Sequence, residues 1–224
     1  MTDIDVASNG YIFSCGMGVY RSTDGGNNWS WVGTANGGEY KLTIDNNDVI
    51  YIGKAGSWSG VYKSTDYGAT WAESYAGYVA ARAMITSPEG FVYIGDESGA
   101  FLKSTDSGNS WTKISVTDKE ISSITTLSNG QIFISTLGRS LFTSTDLGSS
   151  WTQITNSNLY YTIQAIVADS NNYLYAEHSE KISRSTDLGI NWELIGFIPT
   201  YPEEPVLGLD ENNNIYYAYY GVFK

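Results

Sequence analysis

Cysteine is nearly missing from this chain: Cys15 is the only one in 224 residues, so no internal disulfide can form. Histidine also occurs once, at His178, and no second histidine or cysteine pair stands ready to hold a metal, so neither metal nor cofactor is expected. Cations are scarce, with 12 Lys and Arg against 24 Asp and Glu, giving a net charge of −12 and a pI near 4.3. Such a field repels phosphate backbones and anionic lipid, which excludes nucleic acid as an expected partner. No apolar run approaches the roughly 20 residues that cross a bilayer, so membrane insertion is not expected. The opening Met1-Thr-Asp-Ile-Asp does not read as a signal peptide, and a secreted origin after loss of a leader fits equally well. Proline, at 4, is rare, and sustained helical periodicity is absent.

Abundant instead are Gly at 24, Tyr at 18 and Trp at 7, a composition of short strands and tight turns. One signature, Ser-Thr-Asp-x-Gly-x-x-Trp, begins at Ser22, Ser64, Ser104, Ser144 and Ser185, at intervals of 42, 40, 40 and 41 residues. That period, with strand-like spacers, belongs to four-stranded propeller blades. The second unit shows the pattern: Tyr40 to Asp45, Val49 to Gly53, Gly60 to Ser64 and Trp71 to Ser74 each read as a strand. First-hairpin turns recur six times, from Ser8-Asn9-Gly10 to Glu211-Asn212-Asn213-Asn214. The expectation is an all-β fold: a single β-propeller domain, 1–224, of about six four-stranded blades with the last three-stranded or incomplete. The blades fall at about 1–34, 35–75, 76–115, 116–156, 157–197 and 198–224. An open outer edge on the last of these would invite self-association.

The signature has a physical reading. Asp24, Asp66, Asp106, Asp146 and Asp187 stand where a carboxylate can accept the loose backbone donors of a strand-three to strand-four turn, and the glycines two residues on suit positive φ. Trp29, Trp71, Trp111, Trp151 and Trp192 are expected to cover the turn and wedge between blades. One carboxylate per turn falls short of a calcium site, so these residues are read as structural.

The pattern resembles the Asp-box, or BNR repeat, of sialidases, sortilin-type receptors, xyloglucan-active hydrolases and a photosystem II assembly factor. The resemblance covers about 195 residues. It implies a sialidase-like propeller but not a sialidase. Those enzymes clamp a carboxylate with three arginines. Here, of Arg21, Arg82, Arg139 and Arg184, the first and last precede Asp-box turns on the face away from a binding mouth. The xyloglucan-active relatives pair two propellers, and the assembly factor carries an arginine-rich patch that this chain lacks.

Function is therefore sought on the face opposite the signature turns, where loops between strands two and three diverge between units. Tyr40, Lys54, Trp58, Arg82, Asp96, His178 and Tyr219 are the candidate ligand-binding residues. Lys54 and Arg82 would donate, Asp96 would accept and Trp58 would stack. Further loop aromatics, Tyr75, Tyr78, Tyr160, Tyr161 and Tyr201, suit sugar stacking or a protein partner, and burial between blades equally. The reading is a non-catalytic module for a neutral glycan or a protein surface. A glycoside hydrolase with acids among Asp96, Glu97 and Glu177 is the alternative, His178 beside Glu177 and Glu180 being the one acid-base candidate of another type. A structural piece of a larger or engineered propeller is the third.

Overall fold

The computed structural model of the protein describes residues 3–33, 40–54, 60–155, 158–159, 161–198, 206–210, 212–218 and 222–223, and every regular element among them is a strand. The chain forms two compact units, Met1–Ser115 and Val116–Lys224.

The first unit holds three four-stranded antiparallel sheets in chain order. The first comprises β1 (Asp3–Val6), β2 (Ile12–Cys15), β3 (Val19–Ser22) and β4 (Ser30–Trp31); the second β5 (Tyr40–Ile44), β6 (Ile50–Lys54), β7 (Gly60–Ser64) and β8 (Ala72–Tyr75); the third β9 (Ala81–Thr86), β10 (Val92–Asp96), β11 (Ala100–Ser104) and β12 (Thr112–Ser115). Phe13, Val19, Leu42, Ile50 and Ile52 make one apolar layer, and Tyr51, Val61, Val79, Ile94 and Leu102 make the next. Polar side chains tie the inner strands together: Asp3 Oδ2 accepts the Leu42 N–H at 3.1 Å and Asp5 Oδ2 accepts the Ile44 N–H at 2.8 Å. Burial raises both carboxyls above the usual aspartate range.

The second unit repeats the pattern with β13 (Ile121–Thr126), β14 (Ile132–Thr136), β15 (Leu141–Ser144) and β16 (Thr152–Gln153), then β17 (Ala165–Ala168), β18 (Leu174–His178), β19 (Lys181–Ser185) and β20 (Glu193–Phe197). A three-stranded sheet follows, β21 (Val206–Leu209), β22 (Ile215–Ala218) and β23 (Val222–Phe223). Phe133, Leu141, Ile163, Leu174 and Trp192 fill the layer between its two complete sheets.

Five complete four-stranded sheets and one of three strands are thus present among the described residues, where the sequence reading counts about six blades with the last three-stranded or incomplete; the complete blades number five. The reason lies in the signature. Each of its five copies joins a third strand to a fourth, and β21–β23 has no such turn to supply one.

Those five turns share one geometry. The serine hydroxyl donates to Asp Oδ1, at 2.8 Å in Ser22–Asp24, Ser64–Asp66 and Ser144–Asp146 and 2.9 Å in Ser104–Asp106 and Ser185–Asp187. It accepts the N–H of the turn glycine, Gly26 at 2.9 Å and Gly68 at 2.8 Å for instance. Asp Oδ1 also takes the N–H of the residue before the tryptophan at 2.8 Å, while Oδ2 takes that residue's side chain: Asn28, Thr70, Ser110, Ser150 or Asn191. The glycines carry φ of 90°, 83°, 69°, 76° and 86°, the left-handed region the sequence predicts for them.

The tryptophans do not all wedge. Trp71 donates to the Val32 carbonyl at 2.7 Å and packs on the first sheet's layer, Trp111 donates to Ser74 Oγ at 2.9 Å beside Tyr51, and Trp192 is 8 % exposed against Phe133 and Leu141. Each of these leans on the sheet before its own. Trp29 belongs to the first sheet of its unit, finds no earlier one there, and stands 38 % exposed, its indole donating to the Gly26 carbonyl at 3.0 Å.

Candidate functional site

Up-and-down pairing places successive connections at alternate ends of a sheet, so the strand-two to strand-three turns share an end with the links between sheets, opposite the Ser-Asp turns. Most of the candidate residues sit at the end of strand two, and there the side chains turn inward. Lys54, Asp96 and His178 are 2 %, 0 % and 3 % exposed. Tyr40 opens β5 and pairs with Lys54. Trp58 and Tyr219 lie outside the described residues, as do Tyr160 and Tyr201.

In the third sheet Asp96 is a turn anchor. Its Oδ1 accepts the Ser98 N–H at 2.9 Å, the Ser98 hydroxyl at 2.6 Å and the Ala100 N–H at 2.8 Å, and its Oδ2 meets Lys113 Nζ at 3.1 Å. Both oxygens are taken, so little is left for a ligand. Next to it the groups do face solvent. Tyr78, 57 % exposed, donates its hydroxyl to Glu97 Oε1 at 2.7 Å; Arg82 approaches Glu97 Oε2 at 3.2 Å; Lys113 also reaches the Tyr78 carbonyl at 2.8 Å. The structure therefore joins Arg82, Asp96 and Glu97 with Tyr78 and Lys113. Lys113, on strand four, lies outside the candidates named from the sequence, which belong to the starts of first strands, the ends of second strands and the loops.

In the fifth sheet His178 Nε2 lies 2.8 Å from Ser183 Oγ, and the ring stacks on Tyr161 at 5.4 Å and 12°. Burial, and then the charge of Lys181, pull its pKa down to about 4, leaving a neutral imidazole at ordinary pH. Nδ1 is buried without a hydrogen-bond partner, so no carboxylate orients this Ser–His pair, and Ser183 is itself 4 % exposed. It is a packed histidine at the end of β18. Glu177 points to the other face of β18, between Ala165 and Ile182. Both of its oxygens are buried with no hydrogen bond, and desolvation lifts its pKa to about 7, the Glu180 backbone offsetting only a little.

A cavity of about 450 Å³ opens on this face of the second unit. Leu141, Ile154, Leu159 and Ile163 give it an apolar wall, and Arg139, Gln153 and Thr155 give it polar groups. Tyr161 follows directly on this stretch of wall. The composition of the pocket was legible only in part: Arg139 was placed on this face, but its apolar company comes from strand three, the end of strand four and the following link. No group of three or more metal-ligating side chains occurs among the described residues.

Solved structures resemble this chain at low identity. A catalytically inactive virginiamycin B lyase from Staphylococcus aureus, crystallised with quinupristin, superposes with a TM-score of 0.78 at 16 % identity, covering 96 % of this chain and 76 % of the lyase. YCF48 bound to D1 peptide gives 0.72 at 17 % identity, covering 97 % and 75 %. The GH74 enzyme of Niastella koreensis gives 0.68 at 24 % identity over 87 % of this chain but only 31 % of the enzyme. At such identities the likeness establishes the fold, an all-β propeller, and nothing of activity. No curated protein matches the sequence. The model of the DUF6242 beta propeller domain matches residues 75–204, and with more than half of its length so matched the chain belongs to the DUF6242 β-propeller family.

Proposed function

We propose that the protein is a non-catalytic binding module of the Asp-box, or BNR, type, a single propeller domain that takes a neutral glycan or a protein surface on the face opposite its Ser-Asp turns. The observation that carries this is the exposed ring of Tyr78, fixed by its hydroxyl to Glu97, which Arg82 holds in turn. An immobilised aromatic face with a cation and a carboxylate at its edge suits stacking on a sugar ring or packing on a protein side chain. Tyr40, Lys54, Trp58, Arg82, Asp96, His178 and Tyr219 are kept as the proposed contact residues, of which Lys54, Asp96 and His178 are buried at the ends of their own strands.

The hydrolase alternative is the weaker reading. Asp96 is closed by four contacts, Glu97 is engaged by Tyr78 and Arg82, and Glu177 is fully buried, so none of the three candidate acids stands free at an open cleft. A glycan array read with the wild type and with Tyr78→Ala tests the proposal, the variant losing most of the signal. Turnover of a fluorogenic glycoside that disappears in Asp96→Asn, Glu97→Gln or Glu177→Gln overturns it. Self-association through the outer edge of β21–β23 belongs to the same reading, and a concentration-independent monomer in sedimentation would exclude it.

A further inference from the structure

We infer that the cavity of the second unit is a site for a monocarboxylate with an apolar body, held by Arg139. It is a different site from the Tyr78 patch and stands or falls separately. The inference starts from how the four arginines are used. Arg21 donates to the Tyr67 carbonyl at 2.7 Å and lies over Tyr11; Arg82 pairs with Glu97; Arg184 pairs with Glu193 at 3.0 Å and lies over Tyr173. Arg139 alone has no ion pair, side-chain hydrogen bond or ring contact among the described residues, in a protein with twice as many acids as bases. An unpaired guanidinium in such a field is the group most ready to accept an incoming anion.

Its position is built rather than incidental. Arg139 sits in the strand-two to strand-three turn of the fourth sheet with φ 61°, its N–H donating to the Thr136 carbonyl at 3.2 Å. A non-glycine residue in that region carries a strain cost, and here the turn sets the side chain at the cavity. Gly138 before it has no room for a side chain, since a Cβ there would stand 2.5 Å from Lys119 Cγ. That contact brings a second cation to the same turn, with Asp118 paired to it at 3.1 Å.

The rest of the cavity defines the ligand. Four aliphatic side chains form one wall, so the bound molecule has an apolar body. Gln153 is braced by donating to Ser140 Oγ at 3.0 Å, and Thr155 completes the polar rim. A planar carboxylate fits the guanidinium in bidentate fashion, and the volume suits a drug-sized or smaller molecule. A free fatty or aryl acid and the carboxyl end of a peptide with an apolar last residue share this chemistry.

Calorimetric titration of the full chain separates the outcomes. Octanoate is expected to bind saturably, octanamide at least about tenfold more weakly, and Arg139→Gln to lose at least about tenfold for octanoate while leaving octanamide unchanged. Arg139 is exposed, so its replacement spares the core, and Thr155→Trp, also at an exposed position, should block both probes by filling the mouth. A short peptide ending in a free leucine carboxylate, compared with its amidated form, tells the two sources apart: tighter binding than octanoate by the free form only assigns the site to a chain terminus. Equal affinity for octanoate and octanamide, an unaltered Arg139→Gln, or no saturation by octanoate or the peptide up to about 10 mM overturns the inference. Arg82→Gln, which tests the other face, should change none of these values.

Discussion

Lys113 reaches from strand four of the third sheet to place Nζ 3.1 Å from the carboxylate of Asp96, which is wholly buried at the end of strand two. The pair closes the turn that carries Glu97 and braces the Tyr78 carbonyl, so it supports the proposed contact face without being part of it. Lys113→Met removes the compensating charge but leaves the three hydrogen bonds to Oδ1. Because the lysine side chain is 30 % exposed, the cost falls below that of a fully buried pair, about 1–3 kcal/mol in urea unfolding. Glycan or partner binding should weaken less than in Tyr78→Ala.

Gly108 and Gly10 make a second contrast. Both have positive φ, 69° and 84°, but a Cβ on Gly108 would stand 2.7 Å from Tyr51 Cε1 and from Ser74 Oγ, whereas one on Gly10 meets nothing. Tyr51 cannot yield easily, being fully buried with its hydroxyl bonded to Asp45 at 2.9 Å. Gly108→Ala is therefore expected to cost roughly 2–4 kcal/mol and Gly10→Ala roughly 1 kcal/mol, read as shifts in the denaturant midpoint.

The tryptophans should divide as their burial does. Trp192→Ala opens a void against Phe133 and Leu141 and removes the indole bond to the Gly189 carbonyl at 2.9 Å, while the backbone N–H that donates to Asn158 Oδ1 at 2.8 Å stays, so about 3–5 kcal/mol is expected, chiefly from packing. Trp29→Ala, at a half-open position, should cost well under half as much. Equal losses in unfolding experiments would mean that Trp29 is covered in solution.

These contrasts mark how far the sequence could be read. Strand order and turn chemistry were legible because they depend on neighbours a few residues apart: Ser64, Asp66, Gly68 and Thr70 satisfy one another within one loop. The donor before each tryptophan was visible too, as Asn, Thr, Ser, Ser and Asn, but was passed over. Side-chain direction at the end of strand two was not legible. Lys54, Asp96 and His178 read as a polar rim, yet each is buried, and His178 is covered by Tyr161, a residue 17 positions earlier on the link between sheets. The Asp3–Leu42 and Asp5–Ile44 bonds were missed for the same reason, since no local pattern announces a partner 39 residues away.

Acid should act on the turns. Asp66 and Asp210 are held down at about 2, first by the side chains of Thr70 and Asn214, and Asp24, Asp106, Asp146 and Asp187 are lowered likewise. A folded pKa below the unfolded value stabilises above about pH 4, and that contribution disappears as pH falls through about 2. The melting temperature, followed from pH 5 to pH 2, should decline mainly in that window, and Asp66→Asn should flatten the decline. EDTA should leave it unchanged at pH 7, because both oxygens of each aspartate already accept bonds from within the turn.

Glu177 should act in the opposite sense and at higher pH. The residues in register with it on strand two are Cys15, Gly53, Gly95 and Ser135, all small, and a Cβ on Gly53 would already lie 2.5 Å from that of Ala81 in the next sheet. Blade packing at this level favours little side chain, and a carboxyl without a hydrogen bond is buried there instead. Its pKa of about 7 lies above the ordinary glutamate value of 4.5. The unfolded chain therefore ionises first as pH rises, and stability is lost between about 4.5 and 7 and then levels off. Glu177→Gln keeps the shape and removes the titration, so the variant should gain about 1–3 kcal/mol over the wild type between pH 4 and pH 8. A difference independent of pH would mean that the carboxyl is ionised and paired in solution.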